Sequence, residues 1–235
     1  MERLFAVALL ITTGAVISAY AQGDSIQHKQ PTYRGKPISF YLTEAQHPES
    51  RAQALRSIGS FGPEGNSALW QLVAGLQDSN PEVRIAAAWA IFQVAPNSNA
   101  TAVNALEQAL SDQDARVRAL AAVALRQTGP SAADAIPKLI VALNDPVAFV
   151  RAPAADALGA MGPVARAAIT PLAGRLTVKD EQVFVMRSIC YALGKIGPDA
   201  RNALPALDEA IKIVRVSYAA EWAILRIKNL PMATY

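Results

Sequence analysis

A unit that recurs in steps of 33, 34, 33, 35 and 31 residues constrains this chain more than any other feature. The stretch VRALAAVALRQTG begins at Val117. It returns as SRAQALRSI from Ser50, VRIAAAWAI from Val83, VRAPAADAL from Val150, VMRSICYAL from Val185 and VSYAAEWAI from Val216. A second column keeps the same spacing, with Gly-Pro at Gly62, Gly129, Gly162 and Gly197 and Ala95-Pro96 in the remaining place. Two columns with one period indicate stacked structural repeats. Such a chain grows by units, so its 235 residues need not share one compact core.

The periodicity inside each unit decides the kind of element. Offsets 0, 4 and 8, as in Val117, Ala121 and Leu125, fall on one face of a 3.6-residue helix. A strand would alternate with period two, and alanine is a poor strand former. Gly-Pro then closes each unit, because glycine accepts a left-handed C-terminal conformation and proline cannot continue a helix. The spacing predicts an all-α protein, an α/α superhelical solenoid of about six helix pairs. The pairs fall near residues 38–45 and 48–60, 66–77 and 81–94, 99–110 and 115–127, 132–143 and 146–160, 164–176 and 181–196, and 200–211 and 214–228. Pro153, well inside one of these, predicts a distorted turn. With 6% aromatic residues and much alanine, helices of this kind pack through small side chains.

The termini read differently. Residues 1–21 carry an apolar run, 4–17, before Ala19-Tyr20-Ala21, an A-x-A cleavage pattern, and are expected to be a signal peptide. The run is shorter than a membrane span, so no stable membrane insertion is expected after cleavage. The protein is accordingly expected to be exported, periplasmic in a Gram-negative bacterium and otherwise secreted. Residues 22–37 form a polar N-terminal arm with nothing to bury, 38–230 the solenoid, and 231–235 a short tail. Phe40, Tyr41 and Leu42 are large enough to seal the exposed first repeat. Cys190 is the one cysteine and cannot form a disulfide within the chain; it occupies an alanine column and reads as a buried, inert thiol. A net charge of +3, with acids interleaved among the bases, does not resemble a nucleic-acid-binding arm, so no nucleic-acid partner is expected.

Two polar columns accompany the helices. Asp78, Asp112, Asp145 and Asp180 occupy the turns between paired helices, and Arg84, Arg118 and Arg151 stand six residues after the first three. They recur in register with the apolar column, which marks a structural ladder of turn carboxylates, arginines and exposed helix N–H groups. A binding site would more often use residues that differ between repeats.

The pattern V-R-x-x-A-A-x-A-L, followed by Gly-Pro and with Asp before the second helix, resembles the HEAT-like repeats of the phycobilin (PBS) lyase family across residues 38–228. That resemblance implies a HEAT-like solenoid and admits several activities: bilin lyase subunits, a di-iron deoxyhypusine hydroxylase, and scaffolding proteins without chemistry. The hydroxylase carries repeated His-Glu pairs as iron ligands, whereas this chain has only His28, followed by Lys29, and His47, followed by Pro48. No metal site and no cofactor are expected. Asp156, Glu181 and Glu221 invite a general acid–base site, but each is explained by a solvated helix face. No catalytic residue is assigned, and a non-enzymatic protein is favoured.

Offsets 2, 6 and 10 of the second helices face away from the buried column. In the middle repeats they are mostly small. In the last two they are Arg187, Tyr191, Lys195, Tyr218, Trp222 and Arg226, with Trp89 adding a ring near the front. Aromatic and arginine side chains are enriched as interface anchors, and solenoids commonly bind on their concave side. The expected function is an exported, non-catalytic protein-binding scaffold whose partner is another protein. The alternatives are a lyase-like or other enzyme subunit, and a structural spacer.

Overall fold

The computed structural model describes residues 31–94 and 100–231. The expected signal peptide, arm residues 22–30, the Ala95-Pro96 turn and the last four residues lie outside the described residues.

Six helix pairs follow one another among the described residues. They are α1 (Ile38–Glu44) with α2 (Arg51–Gly59), α3 (Leu69–Gly75) with α4 (Pro81–Val94), α5 (Ala100–Ala109) with α6 (Ala115–Thr128), α7 (Ile136–Ala142) with α8 (Ala148–Met161), α9 (Ile169–Leu176) with α10 (Val183–Ile196), and α11 (Leu204–Ile211) with α12 (Ser217–Lys228). The second helices form the spine: α2, α4, α6, α8, α10 and α12 each pack on the next. The all-α solenoid expected from the period is the architecture observed.

The repeated columns explain the stacking. Val117, Ala121 and Leu125 are completely buried, as are Val150, Ala154 and Leu158 one repeat later. Each leucine of this column contributes about 2 kcal/mol through the apolar surface it removes from water. Alanine and glycine between them let the backbones approach. At Gly159 an added Cβ would lie 2.8 Å from the Cα of Ala192. Cys190 sits within this close-packed layer, and burial pushes its thiol up to about 12, which leaves it protonated and inert near neutral pH.

The Gly-Pro turns do more than end a helix. Gly62, Gly129, Gly162 and Gly197 all have left-handed φ, between 57° and 86°, where a side chain would be strained. Each turn continues into 3-10 helix, at Gly62–Ala68, Gly129–Ala135, Gly162–Ala168 and Pro198–Ala203. The first α-helices of these repeats therefore start later than the apolar pattern suggests. Ala132 (ψ 26°), Ala165 (ψ 19°) and Ala200 (ψ 19°) depart from helical geometry and put a kink inside three of these 3-10 segments. Pro153 does not distort its helix as expected; α8 runs through it from Ala148 to Met161.

The end of the N-terminal arm is also not featureless. Strands β1 (Thr32–Tyr33) and β2 (Lys36–Pro37) pair as an antiparallel hairpin around Arg34 and Gly35, both at positive φ as a tight two-residue turn requires. The Tyr41 hydroxyl donates to the Tyr33 carbonyl at 2.8 Å, and Tyr33 stands 6.2 Å, centroid to centroid, from Phe61. Residues 32–37 thus help the Tyr41 and Phe61 rings close the first repeat, a role the polar composition of the arm conceals.

Candidate functional site

The polar ladder runs along the turns that join paired helices, and it connects repeats rather than lying within them. Arg84 donates from Nε and Nη2 to both Asp112 oxygens at 2.7 and 3.0 Å, while its Nη1 donates to the carbonyls of Asp78 and Ser79. Arg118 repeats this geometry on Asp145 at 2.6 and 3.0 Å, with Nη1 on the Asp112 and Gln113 carbonyls. Each arginine therefore fastens its own turn to the carboxylate of the next. The fork suits this task, since a planar guanidinium matches a carboxylate bidentately and keeps donors for carbonyls. Arg51, absent from the sequence-derived ladder, makes the first rung on Asp78 at 2.8 Å.

The fifth repeat corrects the sequence reading. Asp180 is not in the ladder: it is exposed, at φ 67°. Glu181 takes the rung instead, bound by Arg151 at 2.6 and 3.0 Å and by Arg175. The connection here is one residue longer, so the acidic position shifts by one, and the longer glutamate reaches the same place. Nor is Glu181 on a solvated face, because its side chain is fully buried. The column that supplied arginine in the earlier repeats offers Met186 here, and Arg175 from α9 compensates. Beyond this point the column holds Ser217, and no rung joins the fifth and sixth repeats among the described residues. A groove of about 590 Å³ opens there, lined in part by Leu176, Val183, Met186 and Ile213.

Each turn carboxylate also accepts a backbone N–H: Asn80 on Asp78, Asp114 on Asp112, Val147 on Asp145 and Gln182 on Glu181. Burial works to raise the Asp78, Asp145 and Glu181 carboxyls, but these N–H groups and the arginines hold all three below their ordinary values of 3.8 and 4.5. With folded values lowered, the unfolded chain takes up protons first. The contribution of these three carboxylates is complete above about pH 5 and is lost as pH falls through the ordinary carboxylate range and below. The urea midpoint is accordingly expected to stay level from pH 7 to about 5 and then fall steeply. A midpoint unchanged at pH 3 would show that the ladder does not hold the fold.

The second polar region is the face formed by offsets 2, 6 and 10 of the spine helices. In the first three repeats this face is closed by its own ion pairs. Glu82 bridges Arg56 at 3.2 Å and Arg116 at 2.9 Å, and Arg116 also contacts Asp114 at 2.7 Å. These bridges show that side chains at offset 6 of one repeat and just before offset 0 of the next lie side by side. In the last three repeats the same face is open. Arg187, Lys195 and Arg226 are exposed, and among the described residues no carboxylate lies within ion-pair distance of them.

The rings divide into two groups. Trp89 and Trp222 are half-buried and do structural work: a Cβ on Gly59 would lie 2.6 Å from the Trp89 ring, and one on Gly194 would lie 2.4 Å from the Trp222 ring. Each tryptophan covers a bare glycine of the preceding spine helix. Tyr191 meets Trp222 edge-on at 5.4 Å, which joins the fifth and sixth repeats into one surface. Tyr218, by contrast, is 65% exposed. Phe149 and Phe184, which the sequence reading missed, are 49% and 48% exposed. They precede Val150 and Val185 by one residue, and at 100° per residue that position projects beside offsets 2 and 6. Counting the face one turn further toward the helix start would have found both.

These repeated helix pairs have a counterpart among known families. The model of HEAT repeats matches residues 38–126 and 103–184. The chain belongs to the HEAT-repeat family. Its HEAT repeats also resemble solved structures at the level of fold. An engineered protein aligns with a TM-score of 0.67 at 20% identity, covering 82% of this chain and 96% of that one. The designed armadillo repeat protein YIII(Dq)4CqI aligns at 0.64 and 20% identity, covering 81% and 99%. Computationally designed armadillo repeat proteins for modular peptide recognition align at 0.64 and 20%, covering 80% and 98%. No curated protein matches the chain. Among the described residues no group of three or more His, Cys, Asp or Glu is placed to hold a metal ion, and no helix is long and apolar enough to cross a membrane.

Proposed function

We propose that this HEAT-repeat protein is an exported, non-catalytic scaffold that holds an extended segment of another protein across the spine helices of its last three repeats. One observation carries the reading: the same helix face is neutralised by Glu82 in the first half and left open in the second, where Phe149, Phe184 and Tyr218 stand exposed beside Arg187, Lys195 and Arg226. Exposed rings bury large area at small entropic loss, and unpaired bases steer and orient a partner. The likeness to designed armadillo proteins made for peptide recognition supports a solenoid as a platform for such a segment. The leader pattern at residues 1–21 supports export, and the protein purified from its host is expected to begin near Gln22. The resemblance to phycobilin lyase repeats concerns the repeat type and assigns no reaction.

The test compares partners cross-linked in the native envelope or medium by the wild type and by a Phe184→Ser, Tyr218→Ser double variant. Both positions are exposed, so circular dichroism should show two folded proteins, which substitution of Trp222 over Gly194 would not ensure. Loss of a protein partner from the folded variant is the expected outcome. Equal recovery by both would remove this face from consideration, and recovery of a pigment would favour a lyase subunit.

A further inference from the structure

Resting on that docking reading, we propose that the held segment differs at its two ends, carrying a pair of carboxylates for Lys195 and Arg226 and a large apolar side chain for Phe149 and Phe184. Two observed contacts fix how the face is laid out. Tyr191 on α10 meets Trp222 on α12 at 5.4 Å. Residues four apart on a helix are neighbours on one side of it. Lys195 and Arg226 therefore stand together one turn beyond these rings, and Arg187 and Tyr218 one turn before them. The second contact is Glu82 with Arg116 at 2.9 Å. Each precedes the valine of its repeat by one residue, as Phe149 and Phe184 do, so the two phenylalanines adjoin across α8 and α10.

The face therefore changes character along its helices. Phe149 and Phe184 stand exposed at the helix starts. Lys195 and Arg226 stand exposed in the last turns, with no ion-pair partner among the described residues. Two neighbouring bases attract paired carboxylates more strongly than a single one, and the rings supply desolvated area for an apolar anchor. Arg187 lies between the ends beside Tyr218 and offers its donors to the carbonyls of the passing chain. Asp156, on α8 in the tier of Tyr191, repels carboxylates from the fourth repeat, which places the acidic end between α10 and α12. Phe184 and Lys195 are separated by about 16 Å of helix. An extended chain rises about 3.3 Å per residue, so about five residues join the apolar anchor to the carboxylates. Bases in a last turn also favour their own helix end, a contribution to stability that is separable from binding.

The test uses the full chain and fluorescein-labelled peptides, read by fluorescence anisotropy at low and physiological salt. The probe is Phe-Ser-Gly-Ser-Gly-Glu-Glu, made in both orders because either chain direction fits the face. One comparator of the same composition sets the glutamates next to the phenylalanine; another carries glutamines in their stead. In its better direction the spaced peptide should bind about tenfold more tightly than either, and its lead over the glutamine peptide should shrink as salt rises. Lys195→Gln with Arg226→Gln should abolish that lead in a protein that stays folded. A double variant that unfolds earlier yet binds as the wild type does would assign both bases to their helix ends and overturn the proposal. Equal binding of the contiguous isomer would overturn the two-ended layout. Failure of every peptide to bind, while the Phe184→Ser, Tyr218→Ser variant still loses its cross-linked partner, would overturn this proposal and leave the docking reading standing. Retention of that partner by the variant would remove both.

Discussion

Replacing Glu181 with alanine is expected to lower the unfolding free energy by about 4 kcal/mol, whereas the same change at Asp180 costs less than about 0.5 kcal/mol. The neighbours differ in every respect that matters. Glu181 is fully buried, receives Nε and Nη2 of Arg151 and Nε of Arg175, and accepts the Gln182 backbone N–H. Its removal leaves the Arg151 guanidinium, 9% exposed, without a counter-charge in a site that excludes water. Stranding one partner of a buried pair costs far more than the pair contributes relative to apolar residues. Asp180 faces solvent with its backbone at φ 67°. Urea denaturation of the two variants decides the matter. A larger loss at Asp180 would restore the carboxylate that the aspartate column suggests and refute the shifted rung.

Gly159→Val is expected to destabilise the protein by about 3 kcal/mol, and Gly174→Ala to stabilise it by about 0.5 kcal/mol. Both glycines lie inside helices, so propensity alone favours replacement at either. Contact decides the sign. A Cβ at residue 159 would sit 2.8 Å from the Cα of Ala192 and 3.1 Å from its Cβ, so α8 and α10 must move apart along their most densely packed line. At residue 174 nothing lies within 4 Å, and the gain in helix propensity stands unopposed. Thermal and urea unfolding would show opposite shifts. A Gly159→Val protein as stable as the wild type would mean that the spine tolerates wider spacing than the glycine and alanine columns imply.

The period made the helix pairs legible because a stacked unit repeats its contacts, and a repeated contact repeats its residue. Val83, Val117, Val150, Val185 and Val216 needed no structure to be placed in the core. The ladder was half legible: its members recur, but recurrence does not say whether Arg84 reaches the aspartate six residues before it or Asp112 in the next turn. The structure shows that it does both, taking the carbonyl of one and the carboxylate of the other. Glu181 was hidden by a one-residue lengthening of the turn, which moves the acid out of its column. The hairpin at residues 32–37 was hidden because its order comes from the contacts of Tyr33 with Tyr41 and Phe61 and from a two-residue turn, too short to give any periodic signal. On the exposed face, Trp89 and Trp222 were visible as aromatics but not as covers for Gly59 and Gly194, since that contact joins residues from different repeats.

The two ends of the stack are fastened unequally. The first repeat is closed by a hairpin and three rings and tied onward by Arg51. No side-chain hydrogen bond or ion pair among the described residues ties the sixth repeat to the fifth, and apolar contact, with Trp222 lying over Gly194, holds them together. In an array whose units touch only their neighbours, the least anchored terminal unit opens first. Fraying therefore starts at α12, and its line of separation runs between Tyr191 and Trp222, through the middle of the exposed face. On the proposed docking reading, a ligand spanning that line would close the fray, and its affinity would include the cost of doing so. By the same reciprocity, whatever keeps α12 docked makes the face more receptive.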